Sequence, residues 1–441
     1  MKPLIAAMVT AGLATGAFAE NRIDTQRPDA PALAAYGELK VGVRTIEMTN
    51  PGQVDILSID PAQPKPDVLP TYDRSLTVEV WYPAAADASG DTTFSVILRD
   101  GETSVPVTGQ AMRDAAPMAD ARYPFVIISH GYPGNRYLMS HLAENIASKG
   151  YVVASIDHRD STYDDQTAFG STLVNRSLDQ MFVLNTVADL TKGDGFLSGL
   201  ADTDNTALIG YSMGGYGAVI SAGGGVTEAA VAYNWGGPHG TLGVHLSGSD
   251  SHNALPDARI KTAVAIAPWG LTYGFWDAET LKGVQIPMMF MAGSVDDVSG
   301  YSPGVRSMWA GATGVERSLL TFENANHNAA APMPAPAESY AHSEKLGWAP
   351  FDHYADPVWD TVRMNNIAQH FVTAWLGKYL GGDAEMEGYL ELVPAANDAV
   401  WAIDGEGVVQ EGHNYWKGFP NRTAKGLKYE VLGAGEDLLE N

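Results

Sequence analysis

Gly210-Tyr211-Ser212-Met213-Gly214 places a serine two residues from a glycine on either side. Ala207-Leu208-Ile209 comes before it, a run with the character of a buried strand, and the residues from Gly215 to Ile220 read as a helix. A serine raised on a tight strand-to-helix turn needs small flanking residues, because the backbone there is strained and neighbouring elements pass close by. The pattern predicts a nucleophile. The following helix would turn its positive end toward charge developing on a substrate, and the Met213 amide would be placed to donate to it. In a chain with 47 Gly the pentapeptide alone could arise by chance, so its position between strand and helix is what gives it weight.

Such a serine is inert without a base. Of the 11 histidines, His130 ends a strand pattern, His141 lies in a helix pattern, and His239, His245 and His252 fall in a Gly-rich stretch. His327 instead follows the last apolar run directly, in Asn324-Ala325-Asn326-His327-Asn328, which puts it at the same sheet edge as Ser212; His353 is the reserve. The orienting acid is expected after the strand between them, where Gly293-Ser294-Val295-Asp296-Asp297 offers two carboxylates. Asp296 is preferred to Asp297, and Asp277 is a more distant rival. The order Ser212, Asp296, His327 is the one expected for a serine elbow. A second oxyanion donor is expected in the Tyr132 amide of Ser129-His130-Gly131-Tyr132, where Gly131 lets the chain turn toward the serine. His130 itself is expected to serve as a structural hydrogen-bonding residue.

These groups need a sheet to carry them. Residues 41–48 and 75–82 alternate as antiparallel strands, and unbroken apolar runs follow at 125–128, 151–157, 207–211, 262–267, 287–292 and 319–322. Helix patterns lie at 138–149, 178–190, 216–221 and 362–380. Continuous apolar strands imply burial on both faces, so the expected class is α/β, a mostly parallel, doubly wound sheet between helix layers, with one domain over residues 36–382. Residues 222–258 and 328–356 break the rhythm and are expected as lid-like insertions walling the pocket. Residues 383–441 are expected as an extension packed on the domain. Trp235, Trp269 and Trp276 are candidates for either pocket lining or core.

Composition removes other classes. The 441 residues include 52 acidic and 27 basic side chains and no cysteine, for a net charge of −25. Disulfides and thiolate catalysis are excluded, and without a basic stripe neither nucleic acid nor an anionic lipid surface is an expected partner. No H-E-x-x-H helix and no intact calcium loop is present, so neither metal nor cofactor is expected. Met1-Lys2, an apolar run over residues 3–16 and Ala17-Phe18-Ala19-Glu20 read as a secretory signal cleaved between Ala19 and Glu20, which predicts a secreted or periplasmic protein. No later segment has the roughly 20 apolar residues of a spanning helix.

Taken together, the residues resemble the α/β-hydrolase superfamily over roughly residues 75–380, and within it the dienelactone hydrolase and platelet-activating-factor acetylhydrolase-like group. The resemblance rests on Leu76-Thr77-Val78-Glu79-Val80-Trp81-Tyr82-Pro83, the turn Ser129 to Gly134, Gly150-Tyr151-Val152-Val153 running into Asp157-His158-Arg159-Asp160, and the Gly210 to Gly215 elbow. It implies Ser212 as nucleophile, His327 as base, and the Tyr132 and Met213 amides as oxyanion hole. Two departures stand out. Dienelactone hydrolases proper use a cysteine nucleophile, which this chain lacks. The animal acetylhydrolases carry their acid after the earlier strand, where this chain has Ala265-Ile266-Ala267-Pro268-Trp269-Gly270. The expected activity is hydrolysis of a small-molecule or lipid-like carboxylic ester through an acyl-enzyme. An amidase, peptidase or lactonase with the same groups, or a binding protein on a hydrolase scaffold, remains open.

Overall fold

A computed structural model describes residues 20–118, 121–166, 169–233 and 237–438. The segment read as a secretory signal and Trp235 lie outside the described residues. Strands β1 (Val41–Val54) and β2 (Thr71–Pro83) pair antiparallel, with Met48 opposite Leu76. A separate hairpin, β3 (Thr93–Ile97) and β4 (Ser104–Thr108), comes next, followed by the short β5 (Met112–Arg113). The parallel part of the sheet is built from β6 (Tyr123–Ser129), β7 (Val152–Asp157), β8 (Ala201–Tyr211), β9 (Ile260–Ile266), β10 (Met288–Gly293) and β11 (Arg317–Phe322). With β1, β2, β5 and β12 (Leu427–Leu432) they form a 10-stranded sheet in the order β12-β11-β10-β9-β8-β6-β7-β2-β1-β5.

The apolar runs exist because both faces of this sheet are covered. In β6, Val126 and Ile128 join one buried cluster, with Leu142, Ile146, Phe371 and Trp375, while Phe125 and Ile127 join the other, with Val183, Leu184, Val219 and Ile220. The first cluster packs α1 (Ser140–Ala147) and a long C-terminal helix onto the sheet; the second packs α2 (Phe169–Leu190) and α3 (Met213–Ser221). The shorter helices are α4 (Glu228–Ala232), α5 (Asp250–Asn253), α6 (Ala278–Leu281) and α7 (Arg306–Gly311), and the long C-terminal one is α8 (Thr361–Tyr379).

Several elements exceed their sequence patterns. Helix α2 begins nine residues before 178, across Gly170, Ser171, Thr172 and Asn175, none of which favours a helix interior. Tertiary bonds override that propensity: Ser171 Oγ donates to Asp160 at 2.6 Å and Arg176 donates to the His130 carbonyl at 2.9 Å. Strand β12, from the region beyond residue 383, pairs antiparallel with β11 along the sheet edge, and Trp416 and Phe419 pack on Phe371. Among the described residues no helix is long and apolar enough to cross a membrane.

Candidate active site

Ser212 stands between β8 and α3 with φ 52° and ψ −110°, a backbone region that L-residues rarely occupy and that costs about 1–3 kcal/mol. Two hydrogen bonds to the next strand and its loop hold it there: its amide donates to the Ile266 carbonyl at 2.8 Å, and its carbonyl accepts from Trp269 at 3.2 Å. The flanking glycines are required by contact. A Cβ at Gly210 would lie 2.1 Å from the Gly214 carbonyl, and one at Gly214 would lie 1.8 Å from the Ser129 carbonyl.

The loops after β10 and β11 converge on this serine. His327 Nε2 lies 3.0 Å from Ser212 Oγ, and its Nδ1 lies 2.9 Å from Asp296 Oδ2 and 3.1 Å from Oδ1. Asp296 Oδ1 also accepts the amides of Val298 and Ser299, each at 2.9 Å, which fixes the carboxylate plane. Burial pushes the Asp296 carboxyl up, but the His327 hydrogen bond and charge and these two amides outweigh it, so the net shift is downward. An ionised carboxylate can only accept. Nδ1 therefore carries the imidazole proton, and Nε2 is left to accept the one on Ser212 Oγ.

Other sequence candidates are placed elsewhere. Asp297 is exposed, and its amide donates to Asn326 Oδ1 at 3.0 Å. Asp277 caps α6. His353 lines the same cavity, but its Nε2 faces the Tyr163 hydroxyl at 2.9 Å, and burial, then Arg99 and His327, bring its pKa down to about 3. Trp269 lines the cavity, whereas Trp276 is core and donates to the Gly224 carbonyl at 2.9 Å. Of the two insertions, 328–356 supplies wall residues Trp348, Asp352 and His353, while the described part of 222–258 supplies none. Its residues are drawn instead against α2, where His245 bonds the Val174 carbonyl at 2.7 Å.

The turn after β6 brings Tyr132 beside the elbow. A Cβ on Gly131 would be 3.1 Å from the Tyr211 ring and 3.3 Å from Ser212 Cβ. His130 sets the direction of the next peptide. Its Nε2 accepts the His158 amide at 3.2 Å, so its Nδ1 carries the proton and donates to the Gly131 carbonyl at 2.7 Å. In a trans peptide the carbonyl and the following N–H point opposite ways, so holding the Gly131 oxygen aims the Tyr132 amide away from His130. The required neutral imidazole is favoured: burial first, then Arg176, holds His130 well below the usual histidine range.

Under this turn lies a network that sequence reasoning missed. Ser129 Oγ lies 2.8 Å from His158 Nε2, His158 Nδ1 lies 2.9 Å from Asp179 Oδ2, and Arg74 grips Asp179 with a fork at 2.8 and 2.9 Å. Burial and then Arg176 bring His158 down to about 3; Asp179 is held at about 2 because Arg74 and His158 outweigh the effect of its burial. The bonding repeats the order serine, histidine, aspartate, yet Ser129, His158 and Asp179 are each 1% exposed, so no substrate reaches this serine. The adjacent Asp157-His158-Arg159-Asp160 was a visible signal, but its partners Arg74 and Asp179 are distant in sequence.

Ser212 and His327 open into a cavity of about 600 Å³. Tyr132, Phe169 and Trp269 form a run of edge-to-face rings along it, with centroids 5.0 and 5.4 Å apart. Among the described residues no three His, Asp or Glu side chains cluster as metal ligands.

Known proteins with related features agree with this architecture. A family model described as platelet-activating factor acetylhydrolase, isoform II, matches residues 84–184, which include the Ser129 to Gly134 turn and Ser129, His158 and Asp179 of the buried network, but neither Arg74 nor the elbow. The structure of a ferulic acid esterase from Streptomyces cinnamoneus superposes with a TM-score of 0.53 over 83% of this chain and 94% of its own, at 20% identity. The chain has the α/β-hydrolase fold. The chain is similar to the cutinase est1 of Thermobifida alba and cutinase 2 of Thermobifida cellulosilytica, at 24% identity over 212 residues in each case. Those matches cover 48% of this chain and 55% and 63% of the two cutinases, so the chain spans little more than half the length of these relatives.

Proposed function

We propose that this α/β-hydrolase is an exported serine hydrolase that cleaves carboxylic esters. The 3.0 Å contact between Ser212 Oγ and His327 Nε2, continued at 2.9 Å to Asp296, is the observation that carries the reading. As His327 removes its proton, Ser212 attacks the acyl carbon, and the amides of Tyr132 and Met213 receive the oxyanion. His327 then returns the proton to the leaving alcohol, and water, activated by the same imidazole, frees the acid. Asp296 keeps the tautomer and offsets the imidazolium charge. The cutinase and ferulic acid esterase similarities support ester rather than amide bonds, and the apolar run at residues 3–16 supports export.

The test is hydrolysis of p-nitrophenyl esters from acetyl to long-chain acyl by the wild type and Ser212→Ala. Turnover in the wild type with loss of at least about a thousandfold in the variant is expected. An active Ser212→Ala would refute the assignment.

A further inference from the structure

Arg99 sits at the tip of the β3–β4 hairpin, and that tip is stiff. The Leu98 amide donates to the Thr103 carbonyl and the Gly101 amide to the Leu98 carbonyl, both at 2.8 Å. The Asp100 carboxylate accepts from the amides of Glu102 and Thr103 and from the Thr103 hydroxyl at 3.0, 2.9 and 2.5 Å. Gly101, at φ +71°, passes so near Tyr163 that a Cβ would lie 2.2 Å from its carbonyl oxygen. From this fixed base the Arg99 side chain lines the cavity that holds Ser212 and His327.

Other part-buried or buried arginines have hydrogen-bond acceptors. Arg136 bonds Glu79 and Asp157, and Arg74 bonds Asp160 and Asp179; Arg176, which has no carboxylate partner among the described residues, still donates to the His130 carbonyl and the Ser161 hydroxyl. Arg99 differs: among the described residues no carboxylate, carbonyl or hydroxyl oxygen accepts a hydrogen bond from its guanidinium, whose recorded contact is the Trp348 ring at 5.6 Å. Asp297 and Asp352 line the same cavity and still do not pair with it. Burial disfavours the charged guanidinium, and what opposes this is tyrosine, Tyr163, Tyr354 and Tyr132, in place of a carboxylate. In a chain of net charge −25, one half-buried guanidinium lining the cavity of Ser212 has no ion-paired carboxylate among the described residues. Such a group bears a desolvation cost that an incoming anion would relieve, and its planar fork fits a carboxylate with two hydrogen bonds.

We propose that Arg99 is a carboxylate-binding residue that selects esters carrying a free carboxylate on their acyl or alkoxy part. This rests on the ester-hydrolase reading above. The aromatic walls of the cavity accommodate the apolar body of such a substrate.

Matched pairs test it: monomethyl against dimethyl adipate, and the butyrate ester of 4-hydroxybenzoate against that of methyl 4-hydroxybenzoate, with wild type, Arg99→Ala and Arg99→Lys. The wild type is expected to favour the carboxylate-bearing member of at least one pair by about tenfold or more in kcat/KM. In Arg99→Ala the ratio should fall toward one, chiefly through KM; Arg99→Lys should retain part of it, and added salt should narrow it. A wild-type ratio near one in both pairs, or a ratio that survives Arg99→Ala, overturns the proposal. Calorimetric binding of monomethyl adipate to Ser212→Ala, with and without Arg99→Ala, separates the two readings. Arg99-dependent binding without any hydrolysis in the wild type would fault only the ester assignment, and binding indifferent to Arg99 would fault the carboxylate site.

Discussion

A methyl group on Gly214 would come 1.8 Å from the carbonyl oxygen of Ser129, so the start of α3 and the end of β6 meet through glycine alone. Two motifs 85 residues apart are thereby locked together, and with them the Met213 and Tyr132 amides. Gly214→Ala must push one element off the other. Overpacking of this kind costs about 1–3 kcal/mol, and displacing one oxyanion donor costs about a hundredfold in kcat. We expect Gly214→Ala to lower Tm by several degrees and kcat by about a hundredfold or more, as read by thermal unfolding and p-nitrophenyl ester kinetics. Wild-type kcat in the variant would show that the close approach does not set the oxyanion hole.

His130 touches no reacting atom; it acts through the peptide it orients. His130→Ala should reduce kcat by about a hundredfold while KM changes little, because an oxyanion donor serves the transition state more than the ground state. His130→Asn, whose side-chain amide can donate toward the Gly131 carbonyl, should recover part of the loss. A merely structural role would lower Tm in both variants and leave kcat per folded molecule unchanged.

Acid should unfold the protein steeply. Burial brings His141, His158 and His370 down to about 3 and His245 to about 4. Each folded-state value lies below the unfolded one of about 6.5, so the unfolded chain binds protons that the native chain refuses. Stability is complete above about pH 6.5 and falls as pH drops through that value toward 3, by up to about 1.4 kcal/mol per unit for each group. Neither ring nitrogen of His141 has a hydrogen-bond partner among the described residues. His141→Leu should therefore raise the urea midpoint and raise it more at pH 5 than at pH 8. An equal shift at both pH values would contradict the linkage.

Asp179 anchors the buried network from two sides. Asp179→Asn removes the negative charge that Arg74 grips and leaves one acceptor oxygen where there were two, and breaking a buried pair in this way costs about 3–5 kcal/mol. Urea unfolding should show a loss of that size. A loss below about 1 kcal/mol would mean that neighbouring Asp160, 2.9 Å from Arg74, takes over.

What could be read from sequence follows from how locally each feature is encoded. Ser212, Asp296 and His327 each follow directly on an apolar run, so strand ends alone bring the three to one edge. The β3–β4 hairpin carries a period-two signal in Phe94 and Val96 facing inward, yet at five residues a strand it is easily passed over. The first half of α2 is unreadable in principle, since its polar residues oppose a helix and only partners such as Asp160 and the His130 carbonyl stabilise it. The Ser129, His158, Asp179 and Arg74 network spans more than a hundred residues and leaves no spacing pattern, and neither does the lack, among the described residues, of a carboxylate paired with Arg99. The described part of the 222–258 stretch shows the reverse limit, where Gly, His and Ser looked like a pocket wall and none of them lines the cavity.

The central claim is that Ser212, and no other serine, is the nucleophile. The molecule supplies its own control, because Ser129 carries the same histidine and aspartate partnership but lies buried at 1% exposure. Labelling the folded protein with a fluorophosphonate and locating the adduct by peptide mass spectrometry separates the two. The account predicts a single adduct on Ser212 that is lost in His327→Ala. An adduct on Ser129, or none on a folded wild type, would contradict it.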